Sequence, residues 1–240
     1  KIFWLRIPDG QNLIEAVGGA GRDMLSLDGA EGRVLAYLDD RQEIFVDGKH
    51  IWLDSIEGVT GSSVRDFFYG GDGDDWFRGL GGPDHFHGSA GADRFDGGDG
   101  KDMVSYNSNS YEGLFAPGVS ASLLRGKGWT GDAAGDRYSS IEVLQGTLNG
   151  DNALTGDHAD NFLYGWNGDD TLMGNGGDDV IYAGNGEDVI LFGYDRDQYV
   201  VTQTSFALTT VAYIGPGAGD GTDTILNAEI LRFADGDFIL

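Results

Sequence analysis

Cysteine is absent from this 240-residue chain, and proline occurs only four times. Without thiols there can be neither a disulfide framework nor a thiolate metal site. Basic residues are scarce as well: 15 Lys and Arg stand against 40 Asp and Glu, for a formal net charge of −25. This charge argues against nucleic acid and anionic membrane surfaces as partners, because both are recognised through basic patches. No apolar run approaches the ~18 residues of a membrane-spanning helix. The first residues, KIFWLRIPDG, show neither an initiator Met nor the layout of a signal peptide. The chain is therefore expected to start inside a longer polypeptide.

What is abundant is equally specific. Glycine accounts for 42 residues, yet aromatic residues make up 12% of the chain, which is not the composition of a disordered linker. Of the 40 acidic residues, 32 are Asp, a residue suited to turns and to short-range metal ligation rather than to long helices. A chain this acidic is expected to bind cations.

A nine-residue period organises these residues. From Gly70 the sequence runs GGDGDDWFR, GLGGPDHFH, GSAGADRFD, GGDGKDMVS, with Asp in sixth place (Asp75, Asp84, Asp93, Asp102) and an apolar residue in eighth (Phe77, Phe86, Phe95, Val104). A weaker unit, GSSVRDFFY at 61–69, precedes them in register with Asp66 and Phe68. A second array at 156–191 reads GDHADNFLY, GWNGDDTLM, GNGGDDVIY, AGNGEDVIL, with Asn161, Asp170, Asp179 and Asp188 in the sixth column. The degenerate unit TLNGDNALT (147–155) leads into it, and an isolated copy, GGAGRDMLS, at 18–26 carries Asp23.

The spacing has a physical reading. Glycines early in each unit permit left-handed backbone and let carbonyls point inward. The last three residues form a minimal strand with the eighth facing the core. Two units make one coil, so units two apart stack on the same side.

These units resemble the RTX nonapeptide repeat, GGxGxDx-apolar-x, of bacterial secreted toxins, proteases and lipases. The resemblance implies an all-β, right-handed parallel β-roll in two arrays, with inserted longer strands and a C-terminal β cap. It also implies several calcium ions, each shared between stacked turns through both Asp carboxylates and backbone carbonyls. Carried over, it pairs Asp66 with Asp84, Asp75 with Asp93, Asp84 with Asp102, Asp170 with Asp188, and Asn161 with Asp179. The implied carbonyl and turn residues are Gly71, Gly73, Gly79, Gly81, Gly82, Gly88, Ala90, Gly91, Gly97 and Asp99 in the first array. In the second they are Trp166, Gly168, Gly174, Gly176, Gly177, Ala183 and Asn185, and Asp23 joins the set from the isolated copy. Two departures stand out. Neutral Asn161 and Ala159 should weaken the turn at 156–164, and Pro83, in a fifth place, is tolerable only where its missing N–H would face solvent.

The arrays sit inside a longer duplication. VLAYL (34–38) matches VSASL (119–123), and SIEGVTG (55–61) matches SIEVLQG (140–146), both at an offset of 85 residues. A third echo, TILNAEILRF at 224–233, aligns Glu229 with Glu57 and Glu142. Two uses fit these glutamates: solvent-facing strand positions, or further calcium ligands. The chain divides accordingly into a first roll unit (1–96), a second (97–191) and a C-terminal cap (192–240). The closing ADGDFIL fits either a type I secretion tail or an ordinary last strand.

No catalytic arrangement is expected. HExxH and GxSxG are absent, Pro83 stands where an EF-hand begun at Asp72 would need Glu, and no P-loop lysine follows the glycine runs. His85 and His87, flanking Phe86, read as surface residues. The expectation is a secreted bacterial calcium module, exported by type I machinery and folding on the metal. Two rivals stand beside it: an adhesin, lectin or self-assembling surface module using Trp52, Tyr106, Tyr111, Phe115 and Trp129, and the tail of a secreted hydrolase.

Overall fold

A computed structural model describes residues 2–4, 13–107, 117–205, 207–217 and 219–240, with side chains from residue 15 onward. Among these residues there is no α-helix, hence none long and apolar enough to cross a membrane. The chain forms two compact units, Lys1–Val104 with Asp132–Ile141, and Ser105–Gly131 with Glu142–Leu240. This division differs from the sequence partition, since 132–141 packs with the first unit and 192–240 forms part of the second.

In the first unit, parallel strands stack in register. One ladder runs Met24–Ser26, Gly58–Thr60, Trp76–Gly81, Arg94–Asp99, Arg137–Ser139. The other carries Leu35–Tyr37, Phe67–Tyr69, His85–His87 and Met103–Ser105. Tandem nonapeptides alternate between the two ladders, so Phe77 pairs with Phe95 and Phe68 with Phe86. The middle side chain of a three-residue strand is buried, as at His85–His87, because alternate residues point to opposite faces.

The rings of the eighth column interleave between the ladders, with centroids 5.3 Å apart for Phe68–Phe77 and 5.8 Å for Phe86–Phe95. Four phenylalanines thus form a continuous buried core. The first insertion is an antiparallel arrangement in which Glu43–Val46 pairs with both Leu35–Tyr37 and Lys49–Asp54.

The second unit repeats the scheme with aliphatic residues. Ser120–Ser122, Ala153–Thr155, Thr171–Met173, Val189–Leu191 and Ile230–Phe233 form one parallel ladder. Val143–Gln145, Phe162–Asn167, Val180–Asn185 and Thr222–Leu226 form the other. Leu154, Leu163, Leu172, Ile181, Ile190, Ile225 and Leu231 are buried between them.

The segment expected as a cap therefore adds two rungs, Thr222–Leu226 and Ile230–Phe233. Antiparallel strands lie outside them in the sheets. Leu208–Tyr213 and Tyr199–Ser205 close one edge, and Gly236–Ile239 closes the other. The last residues thus form an edge strand, held in part by Arg232 donating to Asp237 at 2.7 Å. Such terminal pairing keeps a stack of rungs from presenting an open edge.

Because Phe77 is fully buried against rings from three other units, Phe77→Ala should destabilise the folded chain by about 3–5 kcal/mol. Denaturant titration in saturating calcium should show a lower midpoint; an unchanged midpoint would mean the aromatic column is not the core.

Candidate metal centre

The sixth-column carboxylates are buried rather than solvated. Asp66, Asp75, Asp84, Asp93, Asp102, Asp170, Asp179 and Asp188 are all at most 6% exposed. Each turn is tied to the next by one repeated hydrogen bond. The backbone N–H of Asp66 donates to Oδ1 of Asp84 at 2.8 Å, and that of Asp84 to Asp102 at 2.7 Å. On the other side Asp75 donates to Asp93 at 2.9 Å. In the second unit Asp170 donates to Asp188 at 2.9 Å and Asn161 to Asp179 at 2.7 Å. All of these partners lie 18 residues apart, the length of one coil. Every pair inferred from the resemblance is therefore adjacent in the stack.

The second oxygen of each carboxylate behaves differently. Oδ2 of Asp75 accepts the Gly71 N–H at 2.7 Å. The buried Oδ2 atoms of Asp84, Asp170, Asp179 and Asp188 have no hydrogen-bond partner among the described residues. A buried charged oxygen without a donor is costly, and a cation is the usual remedy. These oxygens converge with backbone carbonyls. A Cβ placed on Gly79 would lie 1.9 Å from Asp84 Oδ2 and 2.6 Å from the Gly97 carbonyl oxygen. On Gly165 it would lie 2.2 Å from Asp170 Oδ2 and 2.5 Å from the Ala183 oxygen.

From the preceding rung, carbonyls point forward. Gly98, at φ +101°, has the Leu80 oxygen 2.3 Å from where its Cβ would be, and Gly184, at φ +129°, has the Trp166 oxygen at 1.7 Å. Only glycine fits such approaches. Gly73 and Gly168 oxygens crowd Gly91 and Gly186 in the same way, as do the Gly177 oxygen and Gly221.

Among the described residues no three His, Cys, Asp or Glu side chains gather as a metal site. The donors are instead paired carboxylates supplemented by carbonyls, an all-oxygen set that suits a hard ion such as Ca²⁺, which takes 6–8 oxygens at about 2.3–2.6 Å. Asn152 shows the cage from inside. Its side-chain N–H2 donates to the carbonyls of Gly150 at 2.7 Å and Gly165 at 3.0 Å, and to Asp170 Oδ1 at 3.0 Å. These are a fourth-place carbonyl, a first-place carbonyl of the next turn, and a sixth-place carboxylate. An amide here satisfies the oxygens that a cation would gather.

Burial pushes the carboxyl groups of Asp84 and Asp93 up to about 8, with stacked neighbouring carboxylates adding to the effect. Asp179 rises to about 7, and Asp75, Asp170 and Asp188 to about 6, again chiefly through desolvation.

Against this geometry, a family profile of the RTX calcium-binding nonapeptide repeat matches residues 69–104, 147–181 and 167–199, in four copies. The chain carries RTX calcium-binding nonapeptide repeats. No curated protein matches the chain. The RTX repeats make it a calcium-binding structural module, and its all-β, parallel-dominated fold is that of an RTX β-roll.

Several members of the acidic columns escaped the sequence reading. Asp136 is fully buried and accepts the Asp93 N–H at 2.8 Å, and Asp223 accepts that of Asp179 at 3.1 Å. Both stand sixth in overlooked RTX frames, GDAAGDRYS at 131–139 and AGDGTDTIL at 218–226. The nine-residue pattern would have found them had it been sought inside the insertion and the presumed cap.

The glutamates belong to the same columns. The Asp23 N–H donates to Glu57 at 2.7 Å and the Asp188 N–H to Glu229 at 2.9 Å, while the Glu142 carbonyl receives the Phe162 N–H. Of the two uses open to them, Glu229 combines an exposed side chain with a place in the column, while Glu57 and Glu142 are half-buried. His85 and His87 need correction: they are half-buried, and His87 stacks on Tyr69 at 4.3 Å. Burial lowers the basicity of both rings. Pro83 is exposed, as its place requires.

Two outcomes follow. Asn152→Asp should add one calcium ion to the titrated stoichiometry and destabilise the metal-free chain; calorimetry showing unchanged stoichiometry would contradict the assignment of the cage. The second concerns pH in excess chelator. Carboxyl groups whose folded pKa lies above the ordinary value near 4 bind protons more tightly when folded, so stability falls as pH rises from about 4 to 8. In chelator, β structure by circular dichroism should therefore be greater at pH 5 than at pH 8, and the opposite order would refute the burial of these groups.

Proposed function

We propose that this chain is an extracellular module of a larger bacterial protein, exported through type I machinery, which folds when it meets calcium outside the cell and is not itself an enzyme. The observation carrying this reading is the stack of buried aspartates, of which Asp84, Asp170, Asp179 and Asp188 have a second oxygen without a donor among the described residues. Without a cation, ionised carboxylates on successive rungs repel one another while desolvated, which opposes stacking. A net charge of −25 extends that repulsion over the whole chain. Where calcium is scarce the chain stays open, a state suited to passage through an export channel. Where calcium is plentiful, binding energy becomes folding energy.

Extracellular calcium modules have affinities of roughly 10⁻⁴–10⁻³ M per site. Each rung contacts only its neighbours, so folding should spread cooperatively along a stack. The buried aspartates of the RTX repeats are committed to rung-to-rung hydrogen bonds, which supports a structural rather than a catalytic use.

Far-ultraviolet circular dichroism provides the test. In excess chelator at pH 8 the spectrum should be that of a largely unfolded chain, and millimolar calcium should restore β structure with a sigmoidal dependence. Full β structure in chelator would overturn the proposal.

A further inference from the structure

Of the aromatic residues considered for ligand recognition in the insertions, Trp52 and Trp129 are exposed. Tyr111 and Phe115 lie outside the described residues, and Tyr106 is only 2% exposed. A different group of aromatic side chains does come together, on the outer face of the second unit.

The strands Phe162–Asn167 and Val180–Asn185 pair in register, so that Tyr164 lies beside Tyr182, and Asn167 beside Asn185. The two tyrosine rings are 4.8 Å apart and parallel within 2°, and the Trp166 ring follows 6.0 Å from Tyr164 at an angle of 23°. Together with Asn167, Gly184, Asn185 and Asn227 they line a groove of about 500 Å³. Its lining combines these stacked rings with the amides of Asn167, Asn185 and Asn227. Asn185 donates to Asn167 at 2.7 Å, and Asn167 in turn to Asn149 at 2.9 Å, so the ladder holds these amides in fixed orientation.

We propose that this groove is a binding site for neutral carbohydrate. A pyranose presents one face of C–H groups, which complements the negative face of an aromatic ring, and an edge of hydroxyls, which complements amides that both donate and accept. Charge narrows the choice. None of the seven lining residues is charged, in a chain with 55 charged residues: 40 acidic and 15 basic. A basic peptide would find no carboxylate in the groove, and an acidic polymer would approach against a net charge of −25. A neutral sugar meets neither obstacle.

Trp166 remains 36% exposed, so core packing does not account for a tryptophan there. Its φ of +81° belongs to the repeat turn, since Leu80 and Asn175, also second in their units, hold φ +81° and +72°. What is particular to this rung is the indole that the turn carries outward beside the tyrosine pair.

The test is a glycan array probed with the calcium-loaded chain, followed by titration of the best neutral oligosaccharide against the parent, Tyr182→Ala and Asn227→Gly. Tyr182→Ala removes half of the stacked platform. Asn227→Gly removes the rim amide while keeping a residue at ease with positive φ. Calcium-dependent circular dichroism is recorded for each variant, so that loss of the site is told apart from loss of the roll. The expected result is retention of neutral glycans, with affinity weakened about tenfold or more in Tyr182→Ala and severalfold in Asn227→Gly, and calcium-induced folding preserved. The proposal is overturned if the array retains no neutral glycan, if it retains only acidic ones, or if the folded variants bind as the parent does. Should Tyr182→Ala fail to fold, Asn227→Gly decides alone.

Discussion

Acidic side chains of one sign, stacked on successive rungs and shut away from water, set the terms for everything else in this protein. Carboxylates in such columns repel each other and lose hydration, and both effects push their pKa values upward, as at Asp84 and Asp93. The arrangement is tolerable because one oxygen of each is used structurally. It accepts the N–H of the preceding rung's acidic residue, so the column that stores the repulsion also sets the register of the sheet. At Asp84, Asp170, Asp179 and Asp188 the other oxygen is left to a cation. Metal binding and strand pairing are therefore two halves of the same hydrogen-bonded device.

The glycine content follows from that device. Rungs can share an ion only if the carbonyls of one turn come close to the backbone of the next, and at Gly98 and Gly184 the approach leaves no room for a Cβ. The eighth column completes the logic from the other side. Each short strand contributes one buried apolar side chain, and only the accumulation of such residues from both ladders makes a core. Neither the core nor the metal cages exist in a single repeat, which is why stability here belongs to stacks of repeats.

Asn152 illustrates how the same scaffold can dispense with the ion. Its amide donates to two carbonyls and a carboxylate that would otherwise converge on a cation. Replacing a charged ligand with a donor removes the repulsion and the need for metal together. Metal dependence can thus vary from rung to rung while the backbone does not change.

The residues alone determined the repeat, the parity of the coil and the identity of the core column, because a strict period constrains local geometry directly. Gly, Asp and an apolar residue at fixed places admit few other structures, so Asp84 and Phe86 were legible without coordinates. Asp136 and Asp223 were not recognised, and the use of the three glutamates stayed open between two alternatives. Asp136 and Asp223 lie in single frames away from the tandem arrays, and for the glutamates only stacking shows that Glu57 and Glu229 accept the N–H of an aspartate in the column. Tertiary structure also decided that the supposed cap adds rungs, that His85 and His87 are half-buried in an aromatic stack, and that Tyr164, Trp166 and Tyr182 share one outer face. Outward side chains carry no period that folding must respect, and their neighbours come from rungs 18 residues away. What they form together is settled only when the chain has coiled.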